Sequence, residues 1–307
     1  MTVQTIDGTD VQCVLNWDAI VGESPLWHAD EARLYWVDIQ GKKVHRFDPA
    51  TQHNETFLLP DLVTCLAFRQ QGGLLLTLRK QFAFFEPETS NLEKLGAVEA
   101  DLPKNRFNDG RCDRQGRFWA GTMGAEDWNA PVGNLYRMDA DLTVTRMQPN
   151  VICSNGTDWS PDGRTMYYTE SFRYAIFAYD FDPQSGTIAN RRIFAEVDQN
   201  AGAFPDGLTV DGDGFVWSNQ VGTGRIVRYD PDGKIERAVQ LPVPRATGCT
   251  FGGDKLDTLY VTSARETMTP AQLHEAPLSG SLFAAQPGAR GLKPASFAGM
   301  ANGIYTG

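Results

Sequence analysis

Apolar and polar positions alternate along this chain in short runs bounded by Gly, Pro, Asn and Asp, the pattern of half-buried β-strands joined by tight turns. One run, from Phe204 to Gly214 (Phe-Pro-Asp-Gly-Leu-Thr-Val-Asp-Gly-Asp-Gly), sets a layout of a polar residue, an apolar residue four places on, and then a turn. The same layout begins at Glu23, Thr64, Asn108, Asn155 and Thr247, which with Asp206 makes six copies. Downstream of each copy an aromatic residue or leucine recurs, at Tyr35, Leu75, Trp119, Tyr167, Trp217 and Tyr260, at intervals of 40 to 50 residues. A period of that length with several strands in each repeat predicts propeller blades.

The strands can be counted within a repeat. In the fourth, Gly156 to Ser160, Thr165 to Thr169, Tyr174 to Asp180 and Ile188 to Val197 are rich in β-formers, with turns at Ser160-Pro-Asp-Gly163 and Asp182 to Gly186. The expected fold is all-β, a six-bladed β-propeller of four antiparallel strands per blade. Residues 1–307 are read as one propeller domain, with an ordered core over about 11–299 and tails at 1–10 and 300–307. The apolar run Val11 to Trp17 has no repeat of its own and is expected to supply the outermost strand of the last blade, closing the ring. Thr269-Pro270 is expected to cap a short helix in a surface insertion of that blade.

Composition narrows the function. A formal charge of −10 with scattered basic residues argues against nucleic acid or an anionic membrane as partner, and no apolar run approaches the ~18 residues of a membrane span. The first ten residues lack the basic and apolar regions of a secretory signal, so a cytoplasmic protein, monomeric or weakly homo-oligomeric, is expected. Five distant cysteines without a Cys-x-x-Cys pair indicate neither a disulfide framework nor a zinc knuckle; Cys65, Cys112 and Cys249 read as small apolar strand residues.

In a propeller the first strand of each blade lines the central channel, so the six anchors should face one another at one mouth. They are two carboxylates, two amides and two hydroxyls. A carboxylate buried there costs several kcal/mol unless compensated, and a bound cation is the simplest compensation. Oxygen ligands favour calcium first, then manganese or magnesium, and also admit zinc or iron(II). Pro205-Asp206-Gly207 is locally the same as the turn tripeptides Pro161-Asp162-Gly163 and Pro231-Asp232-Gly233, so a turn reading stands beside the site reading; only its register differs. Asp211 to Gly214 is not an EF-hand, because Phe215 and Gly222 occupy ligand positions. His28 and His53 are expected in loops and His45 in an ordinary strand, and no Gly-x-Ser-x-Gly occurs, so a nucleophilic triad is not indicated. Arg106 is read either as orienting a polar ligand or as a solvated loop arginine.

The segments Glu23-Ser-Pro-Leu-Trp27, Arg106-Phe-Asn-Asp-Gly110 with Gly121-Thr-Met123, Ser154 to Ser160 and Phe204-Pro-Asp-Gly207 resemble the regucalcin/gluconolactonase (senescence marker protein) family, in the same order and over about Gly22 to Phe297. The resemblance implies a six-bladed propeller with one divalent cation that hydrolyses a small sugar lactone. It implies Glu23, Asn155 and Asp206 as metal ligands, Asp206 also as general base, and Arg106, Asn108 and Glu126 as substrate contacts, with Asp127 adjacent to Glu126. The rival readings are a non-enzymatic calcium- or partner-binding propeller and a hydrolase of another small ester. A hydroxylated substrate is favoured over a lipophilic ester, which would want an aromatic-lined mouth.

Overall fold

The computed structural model describes residues 4–6 and 10–300; the expected tails at 1–3, 7–9 and 301–307 lie outside the described residues. In chain order, β1 (Gln4–Ile6) and β2 (Val11–Leu15) precede blade one, which is β3 (Gly22–His28), β4 (Arg33–Asp38), β5 (Lys43–Asp48) and β6 (His53–Leu58). Blade two is β7 (Val63–Phe68), β8 (Leu74–Leu78), β9 (Gln81–Glu86) and β10 (Asn91–Ala97). Blade three is β11 (Asn105–Cys112), β12 (Phe118–Gly124), β13 (Gly133–Met138) and β14 (Val144–Val151). Blade four is β15 (Ser154–Trp159), β16 (Thr165–Glu170), β17 (Ala175–Asp182) and β18 (Thr187–Glu196). Blade five is β19 (Phe204–Val210), β20 (Val216–Val221), β21 (Arg225–Tyr229) and β22 (Ile235–Gln240). Blade six is β23 (Ala246–Gly252), β24 (Thr258–Ser263) and β25 (Leu282–Ala285), and β2 completes it by pairing antiparallel with β25. This is the six-bladed propeller that the repeat predicts, closed by the segment that has no repeat of its own.

The seams between blades explain the aromatic periodicity. At successive seams Tyr35 meets Phe68, Phe82 meets Phe107, Trp119 meets Trp159, Phe194 meets Tyr229, Trp217 meets Phe251 and Trp27 meets Tyr260, with ring centroids 4.8–6.2 Å apart. Each blade thus buries one sheet face against the next, as a twisted sheet must when it has no helix to cover it. Asp113 and Asp211 organise two of the hairpins: each accepts amides from its own turn and the indole Nε1 six residues on, at 3.0 Å from Trp119 and 2.9 Å from Trp217. The oxygens of Asp211 are therefore engaged by protein donors, consistent with a turn and not a calcium loop.

Several expectations need correction. β1 lies within the expected N-terminal tail yet adds a fifth, parallel strand to blade five along β22, covering an edge that would otherwise offer unpaired backbone groups. His28 ends β3 and His53 begins β6, so neither is in a loop. His45 lies in strand β5 as expected, and it is fully buried: its ring stacks on Trp36 at 4.0 Å, Thr56 and Asn54 bond its Nδ1, and burial pushes its pKa down to about 3. Helix α1 (Pro270–Glu275) forms as expected, with Thr269 and Gln272 in a capping box. After β25 the chain crosses the far end of the channel, bridging Asp211 through Gly291 and Arg69 through Phe297, while the Ala298 amide donates to Gly116 at 2.9 Å. Among the described residues no helix is long and apolar enough to cross a membrane.

Candidate active site at the channel mouth

All six anchors lie in the innermost strands, and all six of those strands break register at the anchor or beside it. The irregularities fall between Glu23 and Leu26, Val63 and Cys65, Phe107 and Gly110, Ser154 and Thr157, Pro205 and Leu208, and Ala246 and Cys249. A bulge re-aims a side chain out of the pleat, and here each one occurs where a polar side chain has to leave the strand's alternation. The position after the anchor is Gly156, Gly207 and Gly248 in three successive blades. A Cβ on Gly156 would lie 2.2 Å from the Leu208 nitrogen, and one on Gly207 2.7 Å from the Thr247 carbonyl oxygen. These inner strands approach too closely for any side chain. In blade one the same position is Ser24, at φ 48°, a left-handed conformation held by its amide donating to Glu23 Oε2 at 2.9 Å and by its hydroxyl accepting from the Leu66 amide.

The cleft above the anchors is lined by Glu23, Asn108, Asn155, Asp206 and Thr247, with Arg106 at its wall. Thr64 is not among the lining residues; its hydroxyl bonds Thr77 at 2.7 Å instead. Asn155 donates from Nδ2 to Ser171 Oγ at 2.8 Å, which turns its Oδ1 to accept from Asn108 Nδ2 at 3.2 Å. Asn108 also donates to the Ser154 carbonyl at 2.7 Å and accepts from Arg106 at 2.6 Å. Arg106 is therefore a half-buried residue of β11 fixed against the anchor ring, and the solvated-loop reading of it is wrong.

Three carboxylates line this cleft, and two of them, Glu23 and Asp206, are buried with little to balance them. Asp206 is buried and its Oδ1 has no hydrogen-bond partner, while the hydrogen bond found for Glu23 is that to the neighbouring Ser24 amide. Burial first, then the nearby Asp206 and Asp109 charges, raise Glu23 well above the usual carboxylate range; burial, then Asp109, do the same to Asp206, opposed by Arg245 and Arg106. Asp109, one step down the channel, is raised by burial as well. Among the described residues no three His, Cys, Asp or Glu side chains converge on a cation site, so the third protein ligand would be an amide oxygen. An orphaned carboxylate oxygen, a second buried carboxylate and an oriented Asn155 make an all-oxygen set that fits a hard divalent cation.

Glu126 is placed elsewhere. It is exposed beyond the end of β12, pairs with Lys104 at 2.6 Å and lines a neighbouring surface cleft together with Asp127. The chain turns outward after Gly124 and carries both acids away from the anchors.

The structure also adds residues that the anchor pattern does not reveal. Side chains on one face of a strand recur every second residue, and the positions two before the anchors include Val21, Arg106, Cys153, Phe204 and Arg245, all lining the cleft. Reading the repeat at that offset would have found Arg245 and Phe204. Trp128 comes from a loop and Phe172 from the 3-10 turn Ser171–Arg173, neither of which the repeat specifies; Trp128 stacks on Phe172, which packs on Phe204 at 5.1 Å, so blades three to five present an aromatic arc.

This geometry coincides with a family pattern: the signature described as "SMP-30/Gluconolactonase/LRE-like region" matches residues 21–265. The chain belongs to that family. Among SMP-30/gluconolactonase relatives, it is 37% identical to regucalcin of Xenopus laevis over 94% of this chain and 98% of that protein. It is 36% identical to 6-deoxy-6-sulfogluconolactonase of Pseudomonas putida over 94% of this chain and 99% of that protein. The crystal structure of a calcium-binding protein, regucalcin, from Agrobacterium tumefaciens shares the fold with a TM-score of 0.91 at 24% identity, over 96% of this chain and 99% of that one. The family span begins at blade one and ends with the inner strands of blade six, so it contains every anchor.

Proposed function

We propose that this protein hydrolyses a sugar lactone to the corresponding aldonic acid with the help of one divalent cation. The observation that carries the reading is Asp206: a buried carboxylate with an unpartnered oxygen, facing Glu23 and Asn155 at the mouth of the channel. Glu23, Asn155 and Asp206 would hold the cation, calcium first, with zinc, manganese, magnesium or iron(II) as alternatives. When bound, the cation would supply Lewis-acid polarisation of the lactone carbonyl. Asp206 takes the proton from the attacking water. Asn108 and Arg106, locked to each other, hold ring hydroxyls, and Thr247 extends the polar rim. Glu126 would have to leave Lys104 to touch a substrate. Relatives named as lactonases at this level of identity support the reaction class. Five free cysteines support a reducing, cytoplasmic compartment.

One observation favours a second reading. The aromatic arc of Trp128, Phe172 and Phe204 gives part of the mouth the lining that a more lipophilic ester would need, contrary to the purely polar mouth expected from the anchors. The discriminating experiment is a proton-release assay across aldono-1,4- and 1,5-lactones and an aryl-substituted lactone, with chelator and with each cation restored. Cation-dependent hydrolysis of the sugar lactones supports the proposal. Turnover confined to the aryl lactone moves the substrate class, and no turnover with any of them promotes a binding propeller.

A further inference from the structure

Arg245 precedes β23, two residues before the Thr247 anchor, and its backbone is fixed from both sides. It forms an isolated antiparallel bridge with Val221 of blade five, and its carbonyl accepts from the Ala264 amide at 3.1 Å. The side chain lines the cleft, yet among the described residues it has no carboxylate within 4.0 Å, and its Nε is buried with no partner. Other shielded guanidinia in the chain are paired: Arg117 with Asp113 at 2.6 Å, and Arg228 with Asp211 at 2.7 Å. The carboxylates whose fields reach Arg245 are Asp206 and Glu266, both of which line the same cleft beyond ion-pair distance, and Glu266 is bonded by Gln40 Nε2 at 3.2 Å. Arg106 is similarly unneutralised, bonding among the described residues only the Phe107 carbonyl and Asn108 Oδ1. In a ring of six, blades three and six are opposite, so the two cations face each other across the mouth.

Their surroundings differ. Arg106 is tied into the anchor ring through Asn108, whereas the Arg245 guanidinium, on a fixed backbone, makes no hydrogen bond among the described residues. Leaving a buried N–H unpaired is unfavourable, and a guanidinium fork matches the geometry of a planar or tetrahedral oxyanion. A mere counter-ion for Asp206 would sit within ion-pair reach of it, and Arg245 does not.

We propose that Arg245 is the receptor for an anionic group on the substrate, remote from the lactone carbonyl, and that the preferred substrates are therefore acidic sugar lactones carrying a carboxylate, sulfonate or phosphate. This rests on the lactonase reading and deepens it. The substrate lies between the aromatic arc and Arg245, with its carbonyl end over the anchors.

The test compares KM for D-gluconolactone, for the monolactone of glucaric acid and for a 6-phosphorylated gluconolactone, in wild type, R245K, R245Q and E266Q, with the same saturating cation. The wild type should show a KM about ten- to a hundredfold lower for an acidic lactone than for the neutral one, narrowing as salt is raised. R245Q should collapse that ratio towards one through KM, R245K should retain much of it, and E266Q should widen it. Calorimetric binding of the glucarate and 6-phosphogluconate anions to the wild type and R245Q gives a readout that does not need turnover, and the anion bound more tightly identifies the substituent. Equal KM values for acidic and neutral lactones, or a ratio unchanged in R245Q, would overturn the inference while leaving the lactonase intact. If no lactone is hydrolysed but an anion still binds in an Arg245-dependent way, the hydrolase reading fails and the anion receptor stands.

Discussion

Replacing Glu23 by Gln should make the metal-free protein more stable and at the same time remove its response to cations. Glu23, Asp206 and Asp109 are buried acids whose proton affinity burial raises, with neighbouring carboxylates adding to the effect at Glu23 and Asp206, so their ionised forms are disfavoured by the fold. A carboxylate whose folded pKa lies above its unfolded value contributes stability that is full below the unfolded pKa and is lost as pH rises through the folded one. The metal-free wild type should therefore lose stability as pH rises from about 4 towards neutrality and beyond, and E23Q should lose less. A cation reverses the balance, because it binds the deprotonated ligands, and its affinity should climb over the same pH window. At a cation concentration ~100 times Kd the linkage is about 2.7 kcal/mol. With an unfolding entropy of ~2.1 cal/mol/K per residue, the 307 residues give about 0.6 kcal/mol per degree, so the wild-type Tm should rise by roughly 4–5 °C. Thermal unfolding of both proteins with chelator, calcium, manganese, zinc and magnesium at pH 5, 6.5 and 8 measures all of this. A full cation shift in E23Q, or a metal-free wild type more stable at pH 8 than at pH 5, would refute the reasoning.

Other substitutions probe the scaffold that aims the site. G156A forces a Cβ against the backbone of the next blade, so it should cost about 1–3 kcal/mol and weaken the cation-induced Tm shift through the adjacent Asn155; unchanged melting with a full cation shift would contradict the close approach. D113N leaves the buried Arg117 without its charge partner and should cost about 3–5 kcal/mol by chemical denaturation, with D211N costing less because Arg228 keeps Glu236 at 3.2 Å, while cation binding at the far mouth persists in the folded fraction.

Much of the propeller is legible in the sequence because every blade repeats one register: anchor, turn, seam aromatic. The closing strand Val11–Leu15 and the capped helix at Thr269 follow from local rules as well. The cleft walls were less accessible. Arg245 and Phe204 occupy repeat positions, but at an offset of two from the anchors, and their meaning depends on which strand face meets the channel. Trp128, Phe172 and Glu126 sit in connections between strands whose directions the repeat does not dictate; two turn inward and stack, and one turns outward to Lys104. The burial of His45 and the strand β1 were missed for a shared reason: a polar ring buried under Trp36 and a parallel edge strand both depend on tertiary neighbours and leave no local signature.

The account stands most directly on Asp206→Asn. The asparagine keeps an oxygen ligand and the side-chain shape but cannot take a proton from water. Measured by proton release on the best sugar lactone, with cation occupancy verified by elemental analysis of the same sample, kcat/KM should fall by about a hundredfold or more while the melting transition remains cooperative. Near-wild-type turnover by a cation-loaded Asp206→Asn protein would contradict the assignment of this carboxylate as the base.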